Sequence, residues 1–433
     1  MKIISSYGIE IKQMNKLFRT TVFIYNKAVT FCINVFEKEW KDIKPLKKLK
    51  RTQYAENLIH TTKNNKAKYD FDSKFYKMPS YMRRSVINTA LGHLSSYYSN
   101  LNNWKEKGCK NKKPTLQKHL NQFPTFYKDG MYKLNGDDTV QLKLYIQNDW
   151  KWVTVKLKHT DMQYIRKHLQ NAKMTVPTLE KRYHKWFLRF AFEENSKLKD
   201  TKDKILSVDL GVNTDAVCSV MKKDGTILQR KFINFPSDKD QLTHTLNKIK
   251  GISQKYGPHN TTKLWRYAKH LNDELARKIS NAIINYAVQQ DIDVIVFEHL
   301  NFKGKSYGSK KQKLTLWKKN SIQKYVEHKA HRKGIRISHV LAKNTSLFAF
   351  DGSGKLQRNK YNHSLATFSN GKIYNCDLSA SYNIGARYFI REIQKSISER
   401  KWSCVQAKVP VSMKRSKCTY NTFLEILDVL KVL

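Results

Sequence analysis

Apolar and polar positions fall into blocks of two different periods along this chain, and the blocks predict its elements. Residues 2 to 12 open it as a short strand-like piece. From Lys16 to Trp40, Leu17, Val22, Tyr25, Val29 and Val35 recur at the spacing that gives a helix one apolar face. Helical periodicity resumes near Arg83 and Arg84 and runs through Ile87, Leu91, Leu94, Tyr97, Tyr98, Leu101 and Trp104 before Gly108 stops it. Ile43 to Arg51 and Lys105 to Lys113 are dominated by lysine, so this stretch reads as a helical bundle with exposed basic joints.

The period changes to two between Asn121 and Glu194, in the runs 141–146, 152–157 and 186–192. Such short alternating runs predict a small antiparallel barrel. Because a strand also opens the chain, the bundle reads as an insertion into that barrel. After a charged link, 195–204, the runs 205–212, 215–221 and 227–234 predict three strands in hairpin order, with Asp224 and Gly225 as a turn. A helix follows over 264–289, with Leu271, Leu275, Ile279, Ile283 and Tyr286 on one side, then strands at 294–298 and 335–341. Hairpin strands, a helix and further strands describe an α/β, ribonuclease H-like sheet. Residues 399–433 yield only an apolar helical end, 423–433.

Three carboxylates change the picture from fold to chemistry. Asp209 and Glu298 stand at or near the ends of apolar strands, and Asp377 stands where a helical pattern begins. Taken singly, Asp209 could cap a turn before Gly211 and Asn213, Glu298 could pair with a lysine at a strand end, and Asp377 could be a plain helix cap. Asp273, Glu274, Glu193 and Glu194 read as surface charges. Carboxylates from neighbouring strands can face one groove, and an acid at a helix start is favourable there and can close the triangle. Three converging oxygens would select Mg²⁺ or Mn²⁺, and two such ions can stabilise both the attacking and the leaving oxygen of a phosphodiester. That is nuclease chemistry.

Charge supplies the substrate class independently. The 433 residues carry 82 Lys and Arg against 35 Asp and Glu, a net charge of +47, which calls for a polyanion. Aromatics at 12% favour nucleic acid over lipid, since bases stack on rings while cations follow phosphates. Lys47, Lys48, Lys50, Arg51, Arg83, Arg84, Lys105, Lys107, Lys110, Lys112 and Lys113 are the phosphate-facing candidates. The stretch holding Lys303, Lys305, Lys310, Lys311, Lys313, Trp317, Lys318 and Lys319 reads either as a lid gripping single-stranded DNA or as a solvated basic loop. No apolar run is long enough to span a bilayer and no cleavable signal follows Met1, so the expected location is the cytoplasm, with no membrane partner. Six cysteines form no Cys-x-x-Cys pair, as unpaired thiols in a reducing compartment would not.

At these residues the chain resembles the transposon-encoded TnpB (OrfB) proteins and their relatives, the miniature type V CRISPR nucleases. Asp209-Leu-Gly-Val-Asn-Thr-Asp-Ala is similar to the first motif of their RuvC-like domain, Val-Phe-Glu298 to the second, and Asp377-Leu-Ser-Ala-Ser-Tyr-Asn-Ile to the third. The resemblance implies an RNA-guided DNA endonuclease that holds a guide RNA, reads a short motif beside a DNA target in duplex and single-stranded form, and cuts with Mg²⁺ held by Asp209, Glu298 and Asp377. It also implies a wedge-like barrel of residues 1–15 and 119–195, a recognition bundle of 16–118, and a nuclease of 201–344 and 376–433. Many relatives carry a zinc ribbon between the second and third motifs. Here only Cys376 remains, with His363, too few for a closed tetrahedral site, so no zinc is expected and 345–375 reads as a β-hairpin insert. Two alternatives stand beside this reading: a guide-bound DNA-binding regulator without cleavage, and a guide-independent transposase of the same fold.

Overall fold

A computed structural model describes residues 1–12, 15–110, 112–136, 138–299, 317–359, 361–362 and 364–433. They form two compact units, residues 2–194 and residues 195–433 with Met1.

In the first unit, β1 (Lys2–Lys12) alternates inward Ile3, Ser5, Ile9 and Ile11 with outward Lys2, Ile4, Ser6 and Lys12, as a half-buried strand requires. Four helices then intervene: α1 (Asn15–Lys38), α2 (Trp40–Ile43), α3 (Lys48–Ile59) and α4 (Ser80–Glu106). The lysine-rich joint predicted at 43–51 therefore runs into a helix from Lys48, because Ala55, Leu58 and Ile59 give α3 a face to bury. The remaining elements are β2 (Tyr132–Leu134), β3 (Thr139–Ile146), β4 (Asp149–Leu157), α5 (His159–Leu169), β5 (Lys173–Met174), β6 (Thr178–Arg182) and β7 (Lys185–Asn195). The strands make one seven-stranded sheet, ordered β2-β3-β4-β1-β7-β5 with β6 also on β7. Helices and sheet share one core, in which Phe18, Tyr25, Phe36, Leu94, Leu144 and Phe190 are buried. Polar groups that enter it are satisfied: the Tyr25 hydroxyl meets Thr89 at 2.8 Å, and Thr21 accepts the Tyr145 N–H at 3.0 Å.

The second unit is built on a five-stranded sheet of β8 (Lys204–Asp209), β9 (Ala216–Lys222), β10 (Ile227–Ile233), β11 (Val294–His299) and β12 (Arg336–Leu341). Its order is β10-β9-β8-β11-β12. The first three strands pair antiparallel, whereas β11 runs parallel to both β8 and β12. This is the α/β sheet of ribonuclease H type that the sequence predicts. On one face lie α7 (Thr262–Gln289) and α8 (Lys319–Arg332), preceded in the chain by α6 (Pro236–Tyr256). On the other lie α9 (Cys376–Ser396) and α11 (Tyr420–Val432), with α10 (Glu399–Lys408) between them in sequence.

Helix α9 can approach the sheet closely because its contact residues are small. Ser381 hydrogen-bonds Ser219 at 2.8 Å, and Ser219 in turn meets Ser207 at 2.9 Å, all fully buried. A Cβ added to Gly385, one turn on, would lie 3.0 Å from the Met221 methyl and 3.2 Å from the Ser207 hydroxyl. Gly385→Val is therefore expected to overpack this seam and lower stability by about 1–3 kcal/mol. Urea unfolding of the full chain checks it, and an unchanged midpoint would show that the seam has room.

The insert contains β13 (Gln357–Arg358), β14 (Leu365–Thr367) and β15 (Ile373–Asn375) as a three-stranded antiparallel sheet, one strand more than the predicted hairpin. Gly371 takes a positive φ of 83° at the turn between β14 and β15. Apolar packing fastens the insert to α9: the Phe350 ring lies 5.0 Å from Tyr374 and 5.2 Å from Tyr382, and Cys376 is buried beneath. His363, named above with Cys376, lies outside the described residues.

Candidate active site

Strand alternation sets the directions in which the acids point. Along β8, Leu206 and Val208 enter the core under α7, whereas Ile205 and Ser207 face α9. Along β11, Ile295 and Phe297 take the α7 side, and Val294 and Val296 the α9 side. The next residues, Asp209 and Glu298, therefore fall on the α9 face. Val208 is paired with Phe297, so the two acids follow side by side at the same end of adjacent parallel strands. Asp377 stands in the first turn of α9, whose N-cap Asn375 accepts the Leu378 N–H at 2.9 Å. β8 stops at Asp209 because the chain turns tightly there: a Cβ on Gly211 would meet the Thr214 carbonyl oxygen at 2.5 Å. The strand predicted to reach Val212 is shorter for this reason.

The three carboxylates share one field. Burial pushes the Asp209 carboxyl well above the ordinary carboxylate range, the Glu298 and Asp377 charges push it further, and the Arg358 guanidinium opposes them. Burial likewise raises Glu298, against the Thr345 hydroxyl and the Arg387 charge, and raises Asp377 against Arg358. Asp209 is thus the hub, close enough to both partners to feel each. Glu298 is 9% exposed and is held by the Thr345 hydroxyl, which donates to its carboxylate. Among the described residues no group of three His, Cys, Asp or Glu is arranged to hold a metal ion. The donor set itself is all oxygen, and its mutual repulsion is what a hard divalent cation would relieve, so the residues fit such an ion in kind.

Several residues around the acids escaped the sequence reading. Asn383, the asparagine of the third motif, donates to the Thr345 and Phe348 carbonyls at 3.0 and 2.9 Å and accepts the Tyr420 N–H at 2.9 Å. It thereby fixes the segment whose hydroxyl touches Glu298. Arg387 reaches the carbonyls of Leu341, Lys343, Ser416 and Cys418. Its signal was an arginine inside an otherwise buried helical run. Asp215 is 5% exposed and accepts the Phe235 N–H at 2.8 Å, with Lys239 at 3.5 Å. Burial raises its carboxyl, and the turn after Asp209 is anchored by it.

The basic candidates divide. Lys47, Lys48, Lys105, Lys112 and Lys113 are exposed. Arg84 is exposed and 3.6 Å from Glu56. Arg83, expected to face phosphate, is turned inward onto Glu56 at 3.1 Å, since a buried guanidinium needs a partner. Arg51 donates to the Lys44 carbonyl at 2.5 Å and lies over the Trp40 ring. Trp317 is half-buried against the core beneath α7 and α8. Lys303, Lys310 and Lys311 lie outside the described residues.

Comparison with known proteins supports the fold. The Aq_aa04 family profile matches residues 5–146. Against curated proteins the sequence has no match. Among solved structures the chain is similar to a Cas12f1 protein in complex with sgRNA and target DNA, at 15% identity over 95% of this chain and 81% of that one, with a TM-score of 0.52. It is also similar to the mini-RNA-guided endonuclease CRISPR-Cas_phi3, at 10% identity over 89% of this chain and 92% of that one, with a TM-score of 0.56. The chain shares the α/β fold of these two proteins. No helix among the described residues is long and apolar enough to cross a membrane.

Proposed function

We propose that this chain is an RNA-guided DNA endonuclease, related to the TnpB proteins, that cuts phosphodiesters at Asp209, Glu298 and Asp377. The observation that carries the reading is that Asp209 and Glu298 fall side by side on one face of adjacent strands, with Asp377 at the start of the helix packed on that face, in a protein of net charge +47. The shared fold with a Cas12f1 protein solved on sgRNA and target DNA supports the choice of substrate. Mg²⁺ or Mn²⁺ held by the three carboxylates would offset charge on the attacking and leaving oxygens of a two-metal displacement. The chain's own part is positional. Thr345 orients Glu298, Asn383 orients Thr345, and Arg358 balances Asp209 and Asp377. Residues 1–15 and 119–195 would serve as the wedge, 16–118 as the recognition bundle, and 345–375 as the insert that replaces a zinc ribbon.

One observation favours a second reading, a guide-bound regulator without cleavage: no three ligands among the described residues are arranged about one ion. A single experiment separates the readings. The protein is purified with its copurifying RNA, the RNA is sequenced, and a plasmid matching it, with randomised flanks, is offered with Mg²⁺. Cutting only of the matched plasmid, beside a shared short flank, is expected. Guided binding without cutting would establish the regulator, and RNA-free cutting the transposase.

A further inference from the structure

Helices α6 and α7 form an arm that the nuclease reading leaves without a task. α6 packs chiefly on α7 and on the 3₁₀ turn Pro258–Thr261 that joins them. The arm has a small apolar core of its own, Leu242, Ile249 and Ala268, apart from the core beneath the sheet. Between Asp240 and Asp273 the sequence has no acid, while Lys248, Lys250, Lys255, Lys263, Arg266 and Lys269 stand there, all exposed. Acids at the root of the arm turn to other cations: Asp238 to Lys278 at 2.6 Å, Asp273 to Lys318 at 2.9 Å and Glu274 to Arg277 at 3.4 Å. Three large rings are exposed among the arm's cations, Tyr256 at 70%, Trp265 at 45% and Tyr267 at 46%. Cations that follow phosphates, set beside rings that take bases, are the make-up of a surface for single-stranded nucleic acid.

The helical period puts one of these rings on a line to the acids. Asn272, Ala276 and Ile279 of α7 line a cavity of about 340 Å³ together with Gly211, Asn213 and Asp215, in the turn that follows Asp209. Trp265 precedes Asn272 by two helical turns, so it lies on the same stripe of α7, about 10 Å further out. Lys269 is its neighbour one turn inward along that flank. Tyr267 stands on the opposite flank, where its hydroxyl accepts from the Gln241 amide at 2.9 Å. Trp265 is thus a flat apolar surface at the outer end of a stripe whose inner end meets the turn after Asp209. We propose that this stripe is a track for single-stranded DNA, with one base stacked on Trp265 and a neighbouring phosphate met by Lys269. The choice of DNA rests on the nuclease reading, because a strand led along the stripe is the one offered to the three acids. Stacking needs no particular base, which suits a strand whose sequence guide pairing has already read.

The test is run in EDTA on the full chain, so its outcome does not depend on cutting. Single-stranded DNA and RNA of one sequence, about 20 nucleotides long, are titrated against the native chain and its variants. The same DNA with 5-iodouracil in place of thymine is photocrosslinked to the native chain, and the joined peptide is identified by mass. A crosslink at Trp265 is expected. Trp265→Ala is expected to weaken DNA binding roughly tenfold. Trp265→Phe keeps a stacking face and should retain most of the affinity, a rescue that association through charge alone would not show. Lys269→Ala should reduce the slope of log affinity against log salt by about 0.7. Lys408→Ala, an exposed lysine on α10, is the control for loss of one charge. Weaker DNA binding by Trp265→Ala, together with the crosslink, supports the track whether or not RNA binding falls as well. Loss confined to RNA, unchanged DNA binding by Trp265→Ala, an equal loss in Trp265→Phe, or an equal change of slope in Lys408→Ala would overturn the proposal. Intact binding at Trp265 with no cutting in Mg²⁺ would fault the nuclease reading and leave the track standing.

Discussion

Asp209→Asn should lower guide-directed DNA cleavage by about 10³-fold or more while guided DNA binding persists. The carboxamide keeps the shape of the side chain but removes the charge at the hub of the three acids, and loss of several kcal/mol of cation-mediated stabilisation corresponds to that factor. The same change should raise the stability of the metal-free protein. Asp209 is half-buried beside two like charges, so its ionised form is disfavoured in the folded state, and an uncharged isostere escapes that penalty. Mg²⁺ should raise the thermal midpoint of the native chain, because a ligand that binds only the folded state stabilises it. That increment should shrink or vanish in the variant. Cleavage at the native rate by Asp209→Asn would remove the acid from the chemistry, and a lower midpoint in EDTA would show that it serves the fold.

Arg387→Met should be the most damaging single change to the second unit, lowering its stability by about 3–5 kcal/mol. Methionine fills most of the volume and supplies none of the donors. The carbonyls of Leu341, Lys343, Ser416 and Cys418 would lose a group that ties the end of β12 to the segment before α11. Each buried acceptor left without a donor carries its own desolvation cost. Two compact units need not unfold together, so hydrogen exchange resolved by peptide is the appropriate readout alongside urea unfolding. Faster exchange confined to the neighbourhoods of 341–343 and 416–418 is expected. Native protection there would mean that α9 holds those segments by apolar contacts alone.

These residues also show what the amino-acid pattern discloses and what it conceals. The strands β8, β9 and β11 are legible because each is a largely apolar run, broken only by Ser207 in β8 and Ser219 in β9, the mark of a strand covered on both faces. Asp209 at the end of β8 and Glu298 near the end of β11 stand out against that background. Helix α7 is legible because Leu275, Ile279 and Ile283 repeat at helical spacing. Helix α6 is not, since only Leu242, Thr245 and Ile249 are buried among many lysines and polar residues. Helix α10 buries only Trp402 and Val405 and offers still less of a period. Strands of two or three residues, as in the insert, fall below any periodic signal. Thr345 and Asn383 lie far from Glu298 in sequence, and nothing local marks a hydroxyl that will touch a distant acid. The inward turn of Arg83 was hidden for the same reason, because its partner Glu56 lies on another helix.

The order in which the three acids occur along the chain has a consequence for synthesis. A ribosome that has released residues up to 298 has made two of them, and the third follows only with α9. Even then, α9 lacks its cover until Phe423 stacks on Phe389 and the carbonyls of Ser416 and Cys418 reach Arg387. A nascent polypeptide stalled before this point would lack either the third acid or the cover of the helix that carries it. On the proposed reading, birth order would keep incomplete copies from cutting the DNA around them.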